Sequence, residues 1–187
     1  MKKYFSYSVF AVLISALCLS FSSCSKDDEP EDLWEYMENY KSTLTVNGLA
    51  TTNCTIETEN QLNGGFEFWV VTEKGVLKIY RKALSMDDME NSSIGENILT
   101  HLVYDDRATI IEYIDEENDY KTYDWGENSV STNYYPGQMN VIFNKEVSIS
   151  TRFMVFDIKD LVLHYGGYEN GETITINGKI GVRIDKM

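Results

Sequence analysis

The chain has 187 residues, of which 30 are acidic and 16 are basic, so its formal net charge at pH 7 is −14. A surface with this charge repels the phosphates of nucleic acids and anionic lipid headgroups, and we expect neither to be a partner. The chain is long enough for one domain with a sizeable core.

The N-terminus has the three parts of an export signal. Lys2 and Lys3 give it a positive start, and an apolar run over residues 9–19 follows. This run is shorter than the roughly 20 apolar residues of a membrane-spanning helix. Residues 1–23 are therefore predicted to be a cleaved signal peptide. We expect no later segment to span a bilayer.

Cys24 comes directly after small residues, and the acid-rich stretch 25–29 follows it. This arrangement resembles the lipobox of bacterial lipoproteins, in which the cysteine becomes the first mature residue and carries lipid. Phe21 departs from that pattern, where leucine is usual. Two or three acyl chains anchor a domain stably, since each buried CH₂ contributes about 0.8 kcal/mol. The alternative is that Cys24 follows a conventional secretory signal.

Cys24 and the acidic stretch after it resemble the start of small surface lipoproteins of Bacteroidota. The resemblance is confined to the N-terminal part of the chain. It implies a lipid anchor in the outer membrane with the domain facing the cell exterior, the periplasmic face being the alternative. Members of that group commonly serve as accessory binders in glycan capture or as components of surface assemblies.

Residues 24–41 are predicted to form an acidic tether with a short helix between Asp28 and Lys41. Pro30 suits a first helical turn, and Met37 and Tyr40 fall on one face of such a helix. The next thiol along the chain is Cys54, which would be the last one left once Cys24 is acylated. Cys54 is predicted to be a small buried residue, with intermolecular pairing as the alternative.

From Ser42 onward apolar residues alternate with mostly polar neighbours, which is typical of β-strands. The alternating sets include Phe66/Phe68/Val70, Leu77/Ile79, Ile110/Ile114, Val147/Ile149, Ile174/Ile176 and Ile180/Val182/Ile184. Residues 42–187 are therefore predicted to form a single antiparallel all-β domain of about ten short strands. Both a β-sandwich and a lipocalin-like β-barrel fit this pattern.

The stretch at residues 173–184 carries Asn177-Gly178 between two alternating runs. Asn-Gly tolerates the positive φ angles of a two-residue type I′ turn. The sequence therefore predicts a β-hairpin at the C-terminal end of the domain.

The sequence has no nucleophile elbow, Walker loop or zinc-protease motif, and its two histidines, His101 and His164, are predicted to pack within strands. Asp115 begins an acidic loop, but Tyr120 stands where a calcium loop of the EF-hand type needs glycine. We therefore expect no enzyme, metal or cofactor. A glycosidase using carboxylates such as Glu67 and Glu112 is the enzymatic alternative.

Aromatic residues concentrate in residues 119–138 beside amides and carboxylates. The candidate ligand-binding residues are Tyr120, Tyr123, Trp125, Asn128, Asn133, Tyr134 and Tyr135. Flat rings stack on the C–H face of a sugar while amides bond its hydroxyls, and small-ligand sites combine these two kinds of group. The alternative is that strand alternation buries the rings in the core.

Three functions fit these features. The first is a non-catalytic binding module that holds glycan near an envelope uptake system, with the residues 119–138 as its platform. The second is an interaction protein that docks onto another envelope protein by a sheet edge or by loops. The third is a calycin-like carrier of an apolar ligand, which requires a cavity lined by inward aliphatic residues.

Overall fold

The computed structural model describes residues 30–51, 54–60, 66–81, 92–99, 109–125, 136–166 and 171–185. These residues form one short helix and ten strands. The elements are α1 (Leu33–Asn39), β1 (Thr43–Val46), β2 (Leu49–Ala50), β3 (Cys54–Asn60), β4 (Phe66–Thr72), β5 (Gly75–Arg81), β6 (Thr109–Asp115), β7 (Lys121–Trp125), β8 (Gln138–Ser148), β9 (Thr151–Tyr165) and β10 (Thr173–Asp185).

The ten strands form one antiparallel sheet that curls into a half-barrel. The order along the sheet is β2-β1-β10-β9-β7-β6-β5-β4-β3. The long strand β9 pairs with β10 along one edge, and β8 and β7 share its other edge. The prediction of an antiparallel all-β fold with about ten strands and a short N-terminal helix is confirmed.

Strands send alternate side chains to opposite faces of a sheet. The side chains on the concave face of this curled sheet form the core. Phe68 of β4 and Phe156 of β9 stack across it with ring centroids 5.7 Å apart. In β6 the structure differs from the predicted alternation, since Ile111 and Tyr113 are buried and Ile110 is exposed. Ile149 of the predicted pair Val147/Ile149 lies in the β8–β9 turn and is exposed.

Helix α1 covers the opposite face of β9. Met37 is buried against Phe153 and Val155, and the rings of Tyr36 and Tyr40 pack around the same cluster. A helix of seven residues is too short to be stable alone, so this packing holds it in place. The predicted helix exists, although it is shorter than the predicted range 28–41.

The predicted C-terminal hairpin is wrong, since β10 runs unbroken through Asn177 and Gly178. All of its apolar residues, from Ile174 to Ile184, lie on one buried face. A two-residue turn at Asn177-Gly178 would place Ile176 directly opposite Lys179. Directly opposed residues share a face of the sheet, so Lys179 would lie on the same face as Ile176. Ile180 would then lie on the face opposite to Ile176, which would split the apolar residues between the two faces. Burial of all of them favours a continuous strand.

Candidate functional site: an open seam between two strand edges

The half-barrel has an open seam, a cavity of about 710 Å³ bounded by three parts of the fold. One wall is β3, which contributes Cys54, Thr55, Ile56 and Thr58. The facing wall is the end of β10, which contributes Gly181, Arg183 and Asp185. The segment 37–42, from α1 to the start of β1, contributes the third side, and Phe153 lies behind it. We call this cavity the seam.

The seam runs along the edge of β3 and not over one of its faces. Cys54, Thr55 and Ile56 are consecutive, so their side chains point to alternate faces of the sheet. A cavity that touches all three must therefore lie beside the strand, where its main-chain groups point. Among the described strands, β3 pairs only with β4, so this second edge carries main-chain groups that no described strand pairs.

The facing edge of β10 is also open at its end. Strand β1 pairs with β10 only as far as Lys179. Two residues further along β10, the main-chain N–H of Gly181 donates to Oγ of Ser42 at 3.0 Å. No described strand pairs with this edge over Gly181–Asp185, so the seam has a partly unpaired strand edge on each side.

Gly181 is required where the segment 37–42 meets β10. A Cβ added there would lie 2.6 Å from Cδ1 of Tyr40 and 2.6 Å from Cζ of Phe153. The Tyr40 ring therefore rests directly on the strand. Burial, with smaller contributions from Tyr36 and Asp157, raises the pKa of Tyr40 to about 12. Its hydroxyl is therefore neutral at physiological pH.

The charges on the β10 side of the seam are paired with each other. Nε of Arg183 lies 3.0 Å from both carboxylate oxygens of Asp185, and Thr151 donates to the same carboxylate at 2.8 Å. The Arg183 guanidinium also lies 5.8 Å from the centroid of the Trp34 ring, within the range of a cation–π contact. These contacts fix the rim of the seam.

Cys54 is half-buried at the seam, which differs from the predicted full burial. Its Sγ lies 3.3 Å from Oγ1 of Thr51, and its side chain packs against the core. The seam is open to solvent on this side of β3, and that leaves the thiol only partly covered.

Two rings of the predicted sugar platform are buried. Tyr123 and Trp125 are each only 1% exposed and belong to the core cluster. A ring stacks on a ligand only if one face is accessible, so these two stabilise the fold instead. Tyr120, in the β6–β7 turn, is 70% exposed. The remaining candidates, Asn128, Asn133, Tyr134 and Tyr135, lie outside the described residues.

The hydroxyl of Tyr123 reaches the surface from the core. It donates to Glu172 at 3.2 Å, and Lys121 donates to the other oxygen of that carboxylate at 2.9 Å. The hydrogen bond from Lys121 is the main reason that the pKa of Glu172 is lowered. The ring of Tyr165 packs edge-on against Tyr123 and is half-exposed. This cluster links β7 to the residue that precedes β10.

The convex face of β4–β6 carries two aromatic rings outside the predicted site, those of Trp69 and Tyr80. Trp69 is half-buried on this outer face, and its indole donates to Glu67. Lys78 lies opposite, 5.4 Å from the Trp69 ring and 3.6 Å from the carboxylate of Glu112. Tyr80 is half-buried beside them on the same face. The alternation that buries Phe68 and Val70 was the signal that Trp69 points outward.

Other candidate residues do not converge on a reactive site within the described part of the chain. His164 is buried in β9, and His101 lies outside the described residues. Asp115 caps the β6–β7 turn by accepting from the main-chain N–H groups of Glu117 and Asn118. Among the described residues, no group of three acidic, histidine or cysteine side chains is placed to hold a metal ion.

The inward aliphatic residues of the described strands, such as Leu77 and Ile111, pack into the core cluster and give the carrier hypothesis no support. Cys24 lies outside the described residues. Within the described ranges, no helix has both the length and the apolar character needed to cross a membrane. A search of protein-family models, curated proteins and solved structures finds no match to this chain.

Proposed function

We propose that this chain is a non-catalytic interaction module of the cell envelope, anchored by lipid on Cys24 and docking onto another envelope protein through the seam. The observation that carries the proposal is the pair of strand edges that face each other across the seam. An open strand edge presents alternating main-chain donors and acceptors, which match the main chain of another protein.

The net charge of −14 fits this use of an open edge. Exposed edges promote pairing between identical chains, and natural proteins oppose this with charge. Copies of this chain repel one another, whereas a partner of different charge does not meet that barrier. The open edge can therefore serve a second protein without driving self-association.

The test uses the full chain, with an affinity tag, in cells treated with a cross-linker before purification. Thr58→Trp fills the seam, because Thr58 lines it and is exposed. Glu57→Trp is the matched control, because Glu57 is the preceding, exposed residue of β3 and does not line the seam. We expect an envelope protein that Glu57→Trp retains and Thr58→Trp loses at least several-fold. Equal recovery by both variants would contradict docking at the seam.

Glycan binding is the second candidate, supported by the outer face of β4–β6. There Trp69 and Tyr80 are accompanied by Glu67 and Glu112, which combines rings with hydrogen-bonding groups on a regular sheet face. A glycan array probed with the full chain tests this candidate. Saturable binding that is lost in Trp69→Ala and kept in Trp34→Ala would support it, and an array without binding would reject it.

A further inference from the structure

We propose that the seam accepts an extended polypeptide segment as an additional β-strand between β3 and the end of β10. This inference rests on the proposed function, in which the partner is a protein, and it specifies how that partner is bound. The added strand pairs with β3 over Cys54–Asn60 on one side. On the other side it meets the edge of β10 over Gly181–Asp185. Insertion would join the two ends of the curled sheet there.

Pairing on both sides distinguishes the seam from an ordinary sheet edge. A strand added to a single edge satisfies main-chain groups on one of its sides only. In the seam the second side faces the N–H of Gly181, which now bonds to the Ser42 hydroxyl. An incoming carbonyl can replace that hydroxyl, so the entering strand finds partners on both sides.

The spacing of the two walls defines the structural change that insertion requires. The closest Cα pairs of β3 and β10 lie within 8 Å. Two strands that flank a third lie about 9.5 Å apart, twice the usual spacing between neighbours. The seam must therefore widen by about 1.5 Å or more where the strands are closest. The segment 37–42 lines the seam and is held against Gly181 by the Ser42 bond and the Tyr40 ring, so insertion must also displace these side chains.

Charge selects among extended segments. Among the residues that line the seam, Asp185 offsets Arg183 and Glu38 offsets Lys41, so the charge that acts on an entering segment is that of the whole chain. The chain as a whole carries −14. A segment with basic residues is attracted by this field, and an acidic segment is repelled. The occupant is therefore an extended, basic polypeptide segment.

The experiment selects binders of the detergent-solubilised full chain from a displayed library of linear peptides about ten residues long. A selected peptide is then synthesised with single N-methyl groups at each position in turn. Because alternate amides of the inserted strand point to β3 and the intervening ones point to β10, we expect methylation to weaken binding at least tenfold at successive positions of the doubly paired part. A loss with a period of two would show pairing with one edge only and would overturn insertion between the two strands. Methylation leaves the protein unchanged, so this loss cannot come from misfolding. Thr58→Trp should also abolish binding, and Glu57→Trp should not.

The remaining outcomes overturn the inference. They are a library that yields no binder, binders that tolerate methylation at every position, and binders that are predominantly acidic. If the cross-linked envelope protein is lost in Thr58→Trp while any of these outcomes occurs, docking at the seam stands and strand addition fails. If no variant-dependent partner is found either, the proposed function fails as well.

Discussion

The main-chain N–H of Asp160 in β9 donates a 2.8 Å hydrogen bond to Oδ1 of Asn177 in β10. The bond lies where the pairing of the two strands shifts by one residue, so that Lys159 and Asp160 oppose Asn177 alone. Asp160 has a φ of 48°, as expected for the extra residue of a bulge. Asn177 therefore fixes a bulge in the neighbouring strand and does not form a turn of its own.

Asn177→Ala should lower the free energy of unfolding by about 1 kcal/mol, because it leaves the Asp160 N–H without this acceptor. Asn140→Ala is the control, since the side-chain bond from Asn140 to Gln138 is exposed and local. Its effect should stay within about 0.5 kcal/mol. Urea denaturation of the two variants measures the difference, and equal effects would count against the role of Asn177.

Gly178→Ala should destabilise the fold more than Gly48→Ala. A Cβ at Gly178 would lie 2.2 Å from the main-chain oxygen of Thr43, so β1 would have to move away from β10. We expect a loss of about 2–3 kcal/mol. Gly48 has a φ of 76° and open space around it, so alanine there costs only about 1–2 kcal/mol of backbone strain. Thermal unfolding compares the two, and the reverse order would refute the close approach.

Trp125→Ala should destabilise the fold by about 3–5 kcal/mol, because the indole is buried in the core. Tyr120→Ala should change stability by less than about 0.5 kcal/mol, because that ring is mostly exposed. Chemical denaturation of both variants checks whether residues 119–125 supply core or surface. A stable Trp125→Ala variant would restore the platform interpretation of this ring.

Stability should fall as pH rises from 10 to 12. Burial raises the pKa of Tyr113 to about 12 from its ordinary value of 10.0, with smaller contributions from nearby carboxylates. The folded state therefore keeps this proton where the unfolded state loses it, so the stabilisation is complete below pH 10 and disappears through pH 12. Tyr113→Phe removes this contribution. Its unfolding free energy should decline less over this range than that of the unmodified chain, and an identical decline would contradict the shift.

Met37→Ala should release α1 from the sheet, with a loss of about 2–3 kcal/mol. The helix is held by the cluster of Met37, Phe153 and Val155 and is too short to persist without it. Ile149→Ala is the control, because Ile149 is 96% exposed in the β8–β9 turn. Amide hydrogen exchange in α1 reports release directly. Unchanged exchange in Met37→Ala would show that other contacts hold the helix.

Much of this fold follows from local patterns in the sequence. Alternation in Phe66–Val70 identifies β4 and places Trp69 on the opposite face from Phe68. The continuous strand β10 could also be predicted, because its apolar residues stay on alternate positions on both sides of Asn177-Gly178. The strong turn preference of that pair led to the hairpin prediction, and burial of a single face outweighed it.

The seam could not be predicted from the sequence. Cys54 and Arg183 lie far apart in the chain, and nothing local to either residue indicates that the sheet curls until β3 approaches β10. The open edge depends equally on where β1 stops pairing, at Lys179, which the hydrophobic pattern does not encode. Sites that arise from the closure of a sheet depend on its curvature and register, which are non-local properties.

Amide hydrogen exchange of the full chain, with and without a selected basic peptide, tests strand addition at the seam most directly. The account predicts that the peptide slows exchange in β3 and over Gly181–Asp185, and leaves exchange at Trp69 and Val71, whose side chains lie on the outer face of β4, unchanged. Slowed exchange elsewhere, with β3 unaffected, would contradict binding at the seam.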